Sequence, residues 1–206
     1  MAPPLPYLPE TPSQTAGPYV HIGLAPWAAG FQPYARELGR DIVGAQAAGE
    51  RIRVEGVVLD GVGAPARDAL VEIWQANAAG LHPGGPGAEA IEPGFRGWGR
   101  AACDFDTGLW SVETVKPGPV PGRHGRPQAP HLSLWIVARG INLGLHTRLY
   151  FADEAERNAQ DPVLGLIEAA HRRETLVAQR REEGGVPVYR LDIRLGGERE
   201  TVFLDV

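Results

Sequence analysis

Residues 116–138 read KPGPVPGRHGRPQAPHLSLWIVA. A loop stiffened by prolines, each of which fixes φ, is given its bends by glycines and runs into an apolar strand that starts at His131. Side chains two apart on a strand share a face, so His131 and Ser133 project together. A stiff loop that delivers an imidazole to the start of a strand is what a metal or substrate site on a β scaffold requires.

Working outward, the next strand is 145–151 (LHTRLYF), which alternates in the same way. Arg139 stands between the two, in Ala138-Arg139-Gly140. Its planar guanidinium suits a carboxylate, and it equally suits a plain surface position. Upstream, 109–115 alternates and joins 99–105 through Asp106-Thr107-Gly108, whose turn chemistry reads as a hairpin. Earlier strands fall at 51–59, ending in the Asp60-Gly61 turn, and at 69–74. Glu72 on the latter reads either as the solvent side of a half-buried strand or as a catalytic carboxylate. Residues 75–97, with six glycines and three prolines, are too long for a simple connection and contain His82. That histidine reads either as a solvated loop residue or as a ligand.

Downstream, 153–160 reads as a short charged helix. A second begins at Asp161-Pro162, with Val163, Leu164 and Ile167 spaced for one face. Three closing strands are expected at 175–181, 188–195 and 201–206, with glycine turns between them. About nine short strands, little helix and 27 Gly with 19 Pro point to an all-β protein. The expected fold is an antiparallel β-sandwich with long loops, short helices and an extended N-terminal arm. The arm and following loop take residues 1–49, and the sandwich domain takes 50–206. The arm has no strand or helix period, yet it carries Tyr7, Tyr19, Ile22, Leu24 and Trp27, which is too much apolar surface to leave in water. It is expected to lie against the domain or a partner. Within it, Gly17-Pro18 fixes a turn that aims Tyr19.

A net charge of −5, with Lys116 as the sole lysine and scattered arginines, offers no basic stripe for nucleic acid or an anionic membrane. Cys103 is the only cysteine, which excludes an intrachain disulfide and a multi-cysteine zinc site and fits a reducing cytoplasm. No signal peptide or transmembrane run of apolar residues is read, so a cytoplasmic protein is expected.

Seven segments resemble the intradiol aromatic-ring dioxygenases: LPETPSQTAGPYVHIGL (8–24), VEGVV (54–58), VEIWQA (71–76), TVKPG (114–118), APH (129–131), ARGIN (138–142) and LHTRLYF (145–151). Together they span nearly the whole chain. The resemblance implies a β-sandwich and a non-haem Fe(III) chemistry in which two tyrosines and two histidines hold the metal that activates a catecholate toward O2. Hard phenolate oxygens favour the ferric state. At the positions matching the two tyrosines this chain has His82 and Val120, and at the paired histidines it has His131 and Ser133. Gln128 stands where the family has an arginine. One ligand of four remains, so the resemblance implies an alpha-type subunit without iron of its own. That subunit pairs with a homologous iron-bearing beta subunit in an (αβ)n assembly of a bacterial enzyme that cleaves protocatechuate (3,4-dihydroxybenzoate) to 3-carboxy-cis,cis-muconate in aromatic catabolism. In that arrangement Thr15, Gly17, Pro18, Tyr19 and Arg139 complete the partner's substrate site. Two other readings stay open from the residues alone. One is a solo metalloenzyme built on His82, His124 and His131; the other is a β-sandwich interaction module without catalysis.

Overall fold

The computed structural model describes residues 16–17 and 19–205. Among them are nine strands: β1 (Arg51–Leu59), β2 (Leu70–Gln75), β3 (Trp98–Ala102), β4 (Leu109–Val115), β5 (His131–Val137), β6 (Leu145–Phe151), β7 (Val177–Glu183), β8 (Val186–Arg190) and β9 (Ile193–Arg194). Helices are short: α1 (Val20–Leu24), α2 (Ala155–Gln160), α3 (Ala170–Arg173) and several 3₁₀ turns. None of these helices is long and apolar enough to cross a membrane.

The strands form one large sheet in the order β3-β2-β5-β6-β7-β8-β1-β4, with β9 beside β1. It is mixed and not wholly antiparallel as expected, because β1 runs parallel to β8 and β9, and β6 runs parallel to β7. Each of these parallel contacts joins strands far apart in sequence, where no tight turn dictates direction. Strand β7 carries the chain between two halves. Its first residues pair with β6 and the rest pair with β8. A single buried cluster draws on both halves, with Val54, Trp110 and Tyr189 from one and Val71, Ile73, Leu132, Leu134 and Leu149 from the other.

Four expectations need correction. The turn at 104–108 exists, with Asp104 Oδ1 accepting from the Asp106 and Thr107 amides at 3.0 and 2.7 Å. The strands on either side of it do not pair as a hairpin, however; β3 pairs with β2 and β4 with β1. Turn chemistry fixes a local reversal, and it leaves the choice of ladder partner to burial. The expected strand 188–195 is split, because Asp192 inserts its carboxylate and accepts the Val57 amide at 3.1 Å in place of a main-chain partner. Residues 201–205 are irregular and held by isolated bonds, such as Leu204 N to His146 O at 2.8 Å. The expected helix after Asp161 is only a 3₁₀ turn, Leu164–Leu166.

The sole lysine ties the two halves together at the start of the 116–138 stretch. Lys116 Nζ lies 2.8 Å from Asp153 Oδ2 and 2.9 Å from Glu154 Oε1, while Tyr189 on β8 donates to the same Asp153 oxygen at 2.7 Å. The two bonded carboxylates outweigh partial burial and raise the ammonium's pKa above its ordinary value. Strand β5 then lies between β2 and β6, with Leu132, Leu134 and Ile136 turned into the core and His131 and Ser133 on the opposite face.

Candidate functional site

That opposite face carries a row fixed by strand register. Trp74 on β2 is the direct partner of Ser133 on β5, and Ser133 is the partner of Arg148 on β6. One step along, His131 is the partner of Tyr150. Two loops close over this floor. After β2, Asn77 Oδ1 accepts from the Ala79 and Leu81 amides at 3.0 and 2.9 Å and curls the chain so that His82 returns above the sheet. The second loop presses on the first, with the Gly118 amide bonded to Asn77 O at 2.9 Å. The approach needs glycine twice. A Cβ on Gly80, whose φ is +80°, would sit 2.1 Å from Pro119 O, and one on Gly118 would sit 2.4 Å from Ala78 O. Val120 and Gln128 then pair in both directions, Val120 N to Gln128 O at 3.2 Å and Gln128 N to Val120 O at 2.9 Å, and pinch off the loop tip.

The result is a cavity of about 360 Å3 lined by Trp74, His82, Val120, Gln128, His131, Ser133 and Arg148, among others. The four positions singled out in the sequence and Gln128 therefore do meet. His124 does not join them; it lies on the loop tip with φ +58°. Within the cavity His82 lies parallel to Trp74, their rings 5.8 Å apart and inclined by 11°. His131 is buried, and its Nδ1 donates to Ala129 O at 2.7 Å. Burial, then the nearby Arg148 charge, lowers its pKa to about 4. Burial also lowers that of His82, with Arg148 acting in the same direction. Both imidazoles are thus neutral at pH 7.

A chain of bonds that single-sequence reasoning missed supports the cavity from behind. Arg148 Nη1 donates to Gln128 Oε1 at 2.6 Å and to Tyr150 Oη at 3.2 Å, and Tyr150 donates in turn to Asp161 Oδ1 at 3.2 Å. Buried Asp161 also accepts the Val163 and Leu164 amides through Oδ1 and the Ala129 amide, at 2.8 Å, through Oδ2. Burial drives the Tyr150 pKa up, so this phenol stays protonated. The alternation of 145–151 places Arg148 and Tyr150 on one face; only the β5–β6 register reveals that this face is the one bearing His131 and Ser133.

The second group of predicted residues lies elsewhere. Thr15 and Pro18 are outside the described residues. Gly17 has φ +73°, as its turn requires, and Tyr19 is 73% exposed. The arm then touches the sheet through α1, with the His21 ring edge-on to Phe105 at 4.9 Å and Leu24 O accepting from Arg100, whose Nε is bonded to Glu72 Oε1 at 2.8 Å. Glu72 is thereby an ion-pair partner on the outer face of β2. Arg139 follows β5, its side chain 63% exposed and its Nε 3.2 Å from Asp68 Oδ2. His21, Phe105, Asp68 and Arg139 line one open cavity of about 500 Å3.

A family model described as Dioxygenase matches residues 26–197. The chain is 52% identical to the protocatechuate 3,4-dioxygenase alpha chain of Pseudomonas putida over 202 residues, 98% of this chain and 99% of that one. The chain belongs to the intradiol dioxygenase family. To the alpha chain from Burkholderia cepacia this family member is 42% identical, over 97% of its own length and 98% of the relative's. To the protocatechuate 3,4-dioxygenase beta chain from the same organism it is 40% identical over 164 residues, 74% of this chain and 67% of that one. Among solved structures, 3-chlorocatechol 1,2-dioxygenase from Rhodococcus opacus 1CP shares the fold with a TM-score of 0.57 at 22% identity, covering 80% of this chain and 67% of that one. The sequence resemblance to intradiol dioxygenases is therefore a true family membership.

Proposed function

We propose that this chain is the iron-lacking alpha subunit of a protocatechuate 3,4-dioxygenase. With an iron-bearing beta subunit of the same fold it forms the enzyme that opens 3,4-dihydroxybenzoate with O2 between its two hydroxyl-bearing carbons. Full-length likeness to alpha chains supports the assignment to this subunit type, and the donor chemistry of the cavity supports the absence of iron. Val120 has no lone pair to give and Ser133 offers a neutral hydroxyl. The one tyrosine beside His131 is kept protonated by its burial. Two neutral imidazoles without a phenolate do not make a ferric site, and among the described residues no three His, Cys, Asp or Glu side chains converge to hold a metal. No step of the ring cleavage is therefore assigned to groups in this cavity.

The observation that carries the subunit reading is the position of Arg139. It follows the far end of β5 from His131, eight residues along an extended strand, which is roughly 25 Å. The arm reaches that same end, where His21 shares a cavity with Arg139. An exposed tyrosine and a guanidinium so placed cannot reach a ligand in this chain's own cavity, so they suit another molecule's site. In this reading Thr15, Gly17, Pro18 and Tyr19 wall the partner's substrate pocket and Arg139 draws in the substrate carboxylate. Residues 1–49 are the arm packing on the partner, and 50–206 form the domain. The two halves of the sheet fold over their shared core as a sandwich, and the assembly works in the bacterial cytoplasm.

Co-expression with a beta chain tests the whole reading. A coloured, oxygen-consuming complex with iron in stoichiometric amount to the partner, and an iron-free inactive chain when this subunit is purified alone, is the expected result. Stoichiometric iron and activity in the isolated chain would overturn it.

A further inference from the structure

The cavity that does not fit iron has a chemistry of its own. Among the described residues Arg148 carries the only formal charge in its lining at neutral pH, since none of the lining residues is Asp or Glu and both histidines are neutral. The guanidinium is part-buried, and it donates from Nη1 to two neutral acceptors, Gln128 Oε1 and Tyr150 Oη. Among the described residues it has no carboxylate partner, and its Nε and Nη2 hydrogens have no acceptor. A part-buried cation with half its fork unused, held in place by neutral groups, is built to receive an anion. Asp161, the nearest carboxylate in the bond chain, is separated from Arg148 by Tyr150 and is occupied by three amides.

Shape narrows the class of anion. About 360 Å3 is large for an inorganic ion and falls in the range of small organic ligands. The remaining wall is flat and apolar, made by the parallel Trp74–His82 pair with Leu81 and Val120. We infer that this cavity is a binding site for a small aromatic carboxylate, whose carboxylate is received by Arg148 and Ser133 and whose ring lies against the Trp74–His82 wall. The inference rests on the reading that these positions hold no iron. It adds to this subunit a ligand site about a strand's length from the surface offered to the partner.

Calorimetric titration of the full-length chain tests it, with benzoate as the probe, benzamide as its neutral counterpart and inorganic phosphate as a small anion. Benzoate is expected to bind and to raise Tm, and the other two to bind at least about 10-fold more weakly. Arg148→Gln should weaken benzoate about 10-fold or more, while Arg148→Lys, which keeps the charge and loses the fork, should fall between. If Arg148→Gln does not fold, Val120→Trp supplies the second arm, because it fills the cavity from the opposite wall and should abolish binding with Arg148 intact. Equal binding of benzamide or phosphate, undiminished binding by Arg148→Gln or Val120→Trp, or no benzoate binding at about 10 mM would each overturn the proposal. Iron content measured on the same sample separates the two readings. An iron-bearing chain sinks the functional assignment, whereas an iron-free chain that ignores benzoate sinks only this site.

Discussion

The two ends of β5 hold polar side chains in opposite ways. At the His131 end, Gln128, Arg148, Tyr150 and Asp161 bond to one another and to loop amides, all within this chain. At the Arg139 end, the arginine reaches out over an open hollow that it shares with Asp68, its ion-pair partner, and with His21, and Tyr19, two residues before His21, is 73% exposed. The first end is self-contained and its geometry is set before any ligand arrives. The second lacks such a network, and in the proposed subunit reading its rigidity comes from the partner it docks against. The proposed loss of iron at one end and the proposed reliance on a partner at the other are thus compatible within one fold, because a full strand's length lies between them.

The sharpest way to break the contrast is at Asp161. Its carboxylate joins the 116–138 stretch, through Ala129 N, to the turn at 163–164 and to Tyr150. Asp161→Ala leaves three amides without this acceptor, those of Ala129 and Leu164 buried and that of Val163 half-buried, and we expect a loss of about 3 kcal/mol or more in urea denaturation, together with loss of the cavity's shape. The Arg139 end draws no support from this carboxylate. Protease accessibility around residues 19–24 should therefore be unchanged in the variant under conditions where it is folded. Equal disturbance at both ends would mean that the two regions are one cooperative unit.

How far the sequence foretold this depends on range. Strands 51–59, 109–115 and 145–151 coincide with the observed bounds, because alternation is a property of the strand itself. Pairing was not legible. The Asp106-Thr107-Gly108 turn gives a reversal and says nothing of which half of the sheet β4 joins. The site divides in the same way. His82, Val120, His131 and Ser133 were found through the family pattern, although they come from three separate places in the chain. Arg148 was not singled out and Asp161 was read only as the start of a helix, since a strand arginine and a loop aspartate look ordinary until β5–β6 register and the 161–164 turn bring them behind His131.

The self-contained end should also show itself in pH dependence. His131 has its pKa lowered from the ordinary 6.5 to about 4 in the folded chain, by burial first and Arg148 second. The unfolded chain therefore binds more protons at this residue between those values. The stability contribution is fully present above pH 6.5 and is lost as pH falls toward 4, with a slope of at most about 1.4 kcal/mol per pH unit. Urea midpoints of wild type and His131→Gln, compared across that window, should converge as the pH drops. Parallel curves would show that His131 titrates alike in both states and that the cavity is wetter than its packing indicates.

The smallest effect on stability, and the most specific effect on function, is expected at Arg139. The guanidinium is 63% exposed although its partner Asp68 is half-buried, so solvent screens the pair and Arg139→Ala should change folding stability by no more than about 1 kcal/mol. In the assembled enzyme the same change should raise KM for protocatechuate about 10-fold with little change in kcat, because the guanidinium acts on the substrate's carboxylate and not on the reacting ring. Catechol, which lacks that carboxylate, is the control, and its kinetics should not respond. Raised ionic strength should shrink the wild-type advantage for protocatechuate toward that of the variant, as screening of an exposed charge demands. If both substrates suffer alike, Arg139 serves subunit docking and not substrate capture; if neither does, the exposed end of β5 plays no part in the partner's chemistry, and the tether between arm and sheet becomes the place to look for why this chain keeps its arm.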